Sequence, residues 1–232
     1  MAQPTPTATI KSIQRDGRLV IRLSKLFCKL DLPKHLEFDP DRPTLACGNH
    51  RSLFDVFMSA AFCASANVGC RFLVNAKYFS NPIAGRWLRR IGCIPLNADT
   101  KEEAFREATE SLHRMELIGI MPEGRLVPAK DRVDHQVGRA RPGAAELANE
   151  AGALLRPIVF HNTGRVWPRG KWPIPRLWKR PTVTMVLSDT VFEPSDDPQA
   201  DMDKVMAELA KMMDELDAVD PLPLAPKSLP SD

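Results

Sequence analysis

The chain is predicted to fold as a single-domain α/β sandwich. A mixed, largely parallel central sheet would be flanked by helices, with a basic amphipathic helix at the N-terminus. Three observations predict this. Short apolar runs alternate with segments of helical periodicity across most of the sequence, which is how strands and crossover helices of a partly parallel sheet read. The length of 232 residues suits one domain able to bury a real core. Hydrophobic residues make up 44% of the chain and charged residues 26%, ordinary proportions for a folded protein. No internal repeat is present.

Residues 1–9 read as disordered and residues 10–34 as the basic helix. Val20, Leu23, Phe27 and Leu30 form one apolar stripe, with Leu19 and Leu26 beside it. Over 10–30, Lys11, Arg15, Arg18, Arg22, Lys25 and Lys29 fill the remainder against the single acid Asp16, and Pro33 ends the segment. Two readings stay open: a helix covering the core with a solvated basic face, or a helix lying on an anionic membrane. The domain proper is expected over 35–219. Strands are predicted at 44–49, 71–76, 93–96, 117–121, 154–160 and 182–187. Helices are predicted at 52–65, 82–91, 100–115, 142–152 and 197–217. The 100–115 helix has Asp99 or Thr100 as its cap, and Glu102 and Glu103 in the first turn, where the helix dipole favours acids. A Pro-rich tail occupies 220–232.

Several functions are excluded or disfavoured. A net charge of +3 is too small to imply nucleic acid, and no recognition module is present. The five cysteines are odd in number and never spaced CxxC, so buried reduced thiols are expected rather than a zinc site or disulfide framework. The opening MAQPTPTATIKS lacks the pattern of a secretory signal, and no run of apolar residues is long enough to span a membrane. A cytoplasmic location follows as the expectation.

The chemistry-bearing stretch is CGNHRSLFDV, residues 47–56. Ser52 followed by Asp55 loosely matches a capping box, which accounts for both without function. It does not account for His50, which falls at the end of a strand, where ligands bind in open α/β sheets. On one continuous helix His50 and Asp55 would point roughly 140° apart. They meet only if His50 lies in the turn and Asp55 in the first helical turn. Asp55 would then fix one ring nitrogen and leave the other as a base. No serine or cysteine is placed beside them as a nucleophile, so such a dyad would deprotonate a substrate hydroxyl. His35, His113, His135 and His161 lie apart and are read as surface or core residues.

NHRSLFD, read with three later blocks, resembles the signature of the glycerolipid acyltransferase superfamily of the PlsC type. The later blocks are NAKYFSNPIAGRWLRRIGCIPLN (75–97), MPEGRL (121–126) and RPGAAELANEAGALLRPIVFHNT (141–163). The resemblance covers about residues 40–190. It implies an O-acyltransferase with His50 as general base and Asp55 as its orienter. The acceptor hydroxyl would attack the thioester of coenzyme A or of an acyl carrier protein; no metal or cofactor is called for. Glu123 and Gly124 would shape the acceptor pocket. Backbone amides near the start of the 52–65 helix are candidates for stabilising the oxyanion.

The sequence departs from that family in two places. Ala98 stands where phosphate-acceptor members carry an arginine, and Arg125 comes one position early in its block. Guanidinium is the natural bidentate partner of phosphate. Lys77, Arg125, Arg139 or Arg141 would have to compensate, or the acceptor is a phosphate-free glycolipid, amino-lipid or polyketide-like alcohol. A lipid- or carrier-binding module without turnover is the rival of another class. Residues 151–188 carry three of the four tryptophans, Trp167, Trp172 and Trp178, with seven cations and no acid. Such a stretch fits a membrane interface, an acidic carrier protein, or a loop packed on its own core. The resulting expectation is peripheral association with the cytoplasmic face of an anionic membrane.

Overall fold

The computed structural model describes residues 8–128, 137–168, 170–171, 173 and 180–220. Of the disorder expected at 1–9, residues 1–7 lie outside the described residues, as do the tail beyond Asp220, His135, Trp172 and Trp178, whereas residues 8 and 9 are helical.

Helices α1 (Ala8–Ser24), α2 (Phe54–Ser65), α3 (Pro82–Arg90), α4 (Lys101–His113), α5 (Gly143–Ala151), α6 (Thr163–Val166) and α7 (Pro198–Val219) surround strands β1 (Lys29–Asp31), β2 (Thr44–Gly48), β3 (Cys70–Asn75), β4 (Ile94–Leu96), β5 (Leu117–Ile120), β6 (Leu154–His161) and β7 (Thr182–Leu187). The strands form one sheet in the order β1-β7-β6-β2-β5-β3-β4. All pairs are parallel except β6–β7, so β1 and β7 run against the other five. The central strands β2 and β6 are buried along their whole length, as continuous apolar runs covered on both faces should be. One apolar core lies between the sheet and α4, α5 and α7. The other lies between the sheet and α1, α2 and α3.

The N-terminal helix is shorter than its periodicity implies. It stops at Ser24, and Lys29–Asp31 become an edge strand on β7, with the Lys29 amide donating to Pro181 O at 2.9 Å. Satisfying the open edge of β7 and turning Cys28 into the core outweigh further helix. The apolar stripe is also split. α1 buries Ile13, Asp16, Gly17 and Ser24, whereas Leu19, Leu23 and Leu26 face outward. Gly17 sets this rotation: a Cβ there would lie 2.0 Å from the carbonyl oxygen of Ala60 on α2. The buried Asp16 carboxylate pairs with Arg15 and with Arg90 of α3, tying the two helices together.

One smaller expectation is corrected. Neither Asp99 nor Thr100 caps α4 through its side chain; Asn97 Oδ1 instead accepts from the Thr100 amide at 2.7 Å and its hydroxyl at 2.9 Å. The short α6 was not foreseen. The other strands and helices of the domain fall within about two residues of their predicted bounds, the scatter usual for element ends.

Candidate functional site

β2 and β5 are neighbours, yet their following helices leave to opposite faces: α2 packs in one core and α5 in the other. In open α/β sheets ligands bind outside the carboxyl ends of strands at such a switch point. His50 follows β2 and Glu123 follows β5, so both stand beyond those ends.

The turn after β2 is fixed atom by atom. A Cβ on Gly48 would lie 2.7 Å from the Phe160 ring, so glycine lets β6 close in. The Asn49 side chain then copies a strand: its Oδ1 accepts from the Phe160 amide at 2.8 Å and its Nδ2 donates to Phe160 O at 3.2 Å. This clasp fixes the direction in which His50 leaves the sheet. The His50 amide donates to Glu123 Oε2 at 3.1 Å, and the His50 carbonyl accepts from the Val127 amide at 3.4 Å. The 121–127 turn therefore holds the His50 backbone from both sides.

His50 Nδ1 lies 2.9 Å from Asp55 Oδ2. A carboxylate only accepts, so Nδ1 carries the proton and Nε2 presents a lone pair. Asp55 is fully buried, and the same Oδ2 accepts from the Arg51 amide at 2.8 Å and the Ser52 amide at 2.9 Å. The capping and catalytic readings of Asp55 are thus one geometry: the bond that caps the chain at Ser52 also presents the carboxylate to His50. Ser52 Oγ accepts from the Phe54 amide at 3.0 Å and donates to Trp167 O at 2.7 Å. The amides of Arg51, Ser52, Phe54 and Asp55 are all engaged within the turn, so these four are not free to hold an oxyanion.

Glu123 is buried and its second oxygen accepts from the Gly138 amide at 2.8 Å. Each oxygen accepts from a backbone amide, so Glu123 braces the turn that carries His50. Burial pushes its pKa above the ordinary carboxylate value, with the Gly138 and His50 amides pulling the other way. Gly124 has φ of 66°, a left-handed turn, and a Cβ there would meet the Arg141 guanidinium carbon at 3.5 Å. Arg141 therefore lies across Gly124, beside the His50 brace. Arg125 and Arg139 are exposed on the same two segments. Lys77 stands apart, after β3 and with β5 between it and β2, and its Nζ sits 5.0 Å from the Tyr78 ring centroid. Ala98 is exposed beyond the edge strand β4.

All five cysteines are free and buried, and burial pushes the Cys47 thiol up to about 12, so the residue three before His50 is no nucleophile. Among the described residues no cluster of three or more His, Cys, Asp or Glu could hold a metal ion, and no helix is long and apolar enough to cross a membrane.

Sequence reasoning missed the Asn49 clasp, the Val127 bond and a ladder of stacked rings. Phe57 stacks on Trp87 at 5.4 Å and on Trp167 at 6.0 Å, joining α2, α3 and the segment after α6. Phe57 lies two residues after Asp55 on α2, but nothing in one sequence names its partners.

The sequence model of the family described as Acyltransferase matches residues 31–161. The chain is 24% identical over 133 residues to chloroplastic 1-acyl-sn-glycerol-3-phosphate acyltransferase LPAT1 of Arabidopsis thaliana, covering 56% of this chain and 35% of that protein. It is 23% identical over 133 residues to chloroplastic 1-acyl-sn-glycerol-3-phosphate acyltransferase BAT2 of Brassica napus, covering 56% of this chain and 36% of that protein. The match thus spans little more than a third of the length of these relatives. The crystal structure of the 1-acyl-sn-glycerophosphate acyltransferase PlsC of Thermotoga maritima superposes with a TM-score of 0.67 at 19% identity, covering 90% of this chain and 80% of that one. The likeness establishes a shared fold.

Proposed function

The chain belongs to the acyltransferase family of the glycerolipid, PlsC-like type, and from that membership we propose that it moves a fatty acyl group from a thioester to a lipid hydroxyl, with 1-acylglycerol-3-phosphate as first-choice acceptor. The donor in this reading is acyl-coenzyme A or acyl carrier protein. The observation that carries it is the 2.9 Å contact of His50 Nδ1 with Asp55 Oδ2, beyond the carboxyl end of β2 beside β5.

His50 Nε2 takes the proton of the acceptor hydroxyl as its oxygen attacks the thioester carbonyl carbon. The tetrahedral intermediate collapses, the C–S bond breaks, and the imidazolium returns its proton to the departing thiolate. Asp55 keeps the ring in the productive tautomer and stabilises the imidazolium. Proton transfer by a placed base supplies about 10²–10⁴ in rate; the Asn49, Glu123 and Val127 contacts support the positioning share. Arg141, laid over Gly124, is the best-placed cation for an acceptor phosphate, with Arg125 on the same turn and Lys77 the least favoured by its position.

A second reading is transfer to a phosphate-free acceptor, favoured by Ala98. Thiol release from acyl-coenzyme A, followed with a thiol reagent, separates the two. Release that requires lysophosphatidic acid supports the first, and release only with phosphate-free alcohols supports the second. No release with any acceptor would contradict both and leave a binding module.

A further inference from the structure

Three locally unfavourable choices meet at one joint, where the end of α7 packs on the end of β6. Asp217 stands in the last turn of α7 and Asp220 just after it, and that turn carries no basic residue. The helix dipole disfavours negative charge there. Asn162, the residue after β6, holds φ of 62°, a left-handed backbone for a residue with a side chain. His161, the last residue of β6, is buried. The three choices answer one another. His161 Nε2 lies 2.8 Å from Asp217 Oδ1. Asn162 Nδ2 donates to Asp220 Oδ2 at 2.8 Å and to the Thr182 carbonyl at 3.0 Å. Arg165 Nη1 donates to the two Asp220 oxygens at 3.3 and 3.4 Å. Departures from local preference that converge in this way mark a place held for function.

A short relay runs from this joint to the dyad. Along α6 the Arg165 amide donates to the Asn162 carbonyl at 2.9 Å, and the Trp167 amide to the Thr163 carbonyl at 3.0 Å. The Trp167 carbonyl accepts from Ser52 Oγ at 2.7 Å, and the Trp167 ring stacks on Phe57 of α2. The Ser52 amide donates to Asp55 Oδ2, the atom that meets His50 Nδ1. Thr163, Ser52 and Asp55 are fully buried, so a shift of one link passes to the next instead of being taken up by solvent. The Asn49 clasp and the 121–127 turn hold the backbone of His50. The relay holds the turn that brings the carboxylate to it.

We propose that Asp217 and Asp220 are positioning residues for the His50–Asp55 pair. They clamp α6, so that Trp167 keeps Ser52, and with it Asp55 Oδ2, against the imidazole. The inference rests on the acyl-transfer reading for its effect on rate. Neither acid touches a reacting atom. Their loss lets the imidazole leave its productive orientation, which lowers kcat and leaves KM in place.

The test compares the full chain with Asp217→Ala/Asp220→Ala, with Asn162→Gly and with Asp217→Asn/Asp220→Asn. Thiol release from acyl-coenzyme A with a productive acceptor is expected to show kcat about tenfold lower in the alanine pair, with KM within about twofold and far-ultraviolet circular dichroism unchanged. The asparagine pair keeps an acceptor oxygen for His161 Nε2 and one for Asn162 Nδ2, and should stay within about threefold of the parent. Placed in a Ser52→Ala background, the alanine pair should add less than about twofold to the loss, because Ser52 is the link it acts through. Proton NMR without substrate reads the same link. The His50 Nδ1–H resonance, identified by its absence from His50→Ala, should shift or broaden in the alanine pair and in Asn162→Gly, and stay in place in the asparagine pair. Unchanged kcat, a rise in KM alone, losses that multiply with Ser52→Ala, or an unmoved Nδ1–H resonance overturns the proposal. If the alanine pair unfolds, Asn162→Gly carries the same expectations, since it keeps the left-handed turn and loses only the side chain that reaches Asp220. A parent protein that transfers nothing would contradict the acyl-transfer reading alone, and the resonance would still decide the clamp.

Discussion

The two helical layers that sandwich the sheet are built to opposite charge. α1, α2 and α3 carry seven basic residues and two acids, and both acids, Asp16 and Asp55, are buried. α4, α5 and α7 carry twelve acids against four bases. The basic layer exposes Leu19, Leu23 and Ile83; the acidic layer exposes one large apolar residue, Val219, at the end of α7. The basic layer also holds the dyad and the ring ladder. The contrast teaches a division of labour. One layer closes the core under a net negative surface, and the other, net positive, holds the His50–Asp55 pair and the outward leucines.

Substitutions in each layer can break or sharpen that contrast. The largest effect is expected in the basic layer at Asp55. Asp55→Asn keeps the shape but loses the carboxylate that holds Nδ1–H, and kcat should fall about 10²–10⁴-fold. A fall of less than threefold would detach Asp55 from the chemistry. Next comes Glu123→Gln, whose amide offers one acceptor oxygen for two backbone amides. Steady-state kinetics should show kcat reduced about 10–100-fold with KM little changed, the signature of a mispositioned base; a rise in KM alone would return Glu123 to the acceptor pocket.

The same variant has a pH signature. The folded-state pKa of Glu123 lies above its unfolded value, so the folded protein holds the proton more tightly. Its contribution to stability is full below the ordinary carboxylate range and is lost as pH rises through the raised folded pKa. Denaturant midpoints of the parent should therefore drop relative to Glu123→Gln on going from acid toward neutral pH, and parallel curves would contradict the burial argument. A smaller effect is expected from Gly17→Ala, which drives a methyl into the Ala60 carbonyl and should destabilise by about 1–3 kcal/mol in urea unfolding. The smallest belongs to the acidic layer. Lys211→Gln removes only a 3.7 Å pairing of an exposed lysine with half-buried Glu208 and should change stability by less than about 0.5 kcal/mol, with activity intact.

Much of this was readable in one dimension. The alternation of buried runs with amphipathic segments gave the sheet and its layers, because strands covered on both faces must be continuously apolar. The meeting of His50 and Asp55 was legible because only a turn followed by a helix start permits it. The rest was not, because it depends on contacts across the fold. Leu23 belongs to a sound apolar stripe by spacing alone, and only the close approach of Gly17 to α2 rotates it outward. Lys29–Asp31 continue a helical pattern locally, and only the open edge of β7 makes them a strand. Glu123 reads as an acceptor residue within its Pro-Glu-Gly block. Its partners are the amides of His50 and Gly138, from segments distant in sequence, and no local pattern announces them.

The central claim is that the imidazole of His50 removes the proton from the acceptor. Thiol release from acyl-coenzyme A with a productive acceptor, compared between the parent and His50→Ala, tests it most directly. The account predicts that release disappears while the circular dichroism and unfolding midpoint stay close to those of the parent. Release within a few-fold of the parent would contradict it.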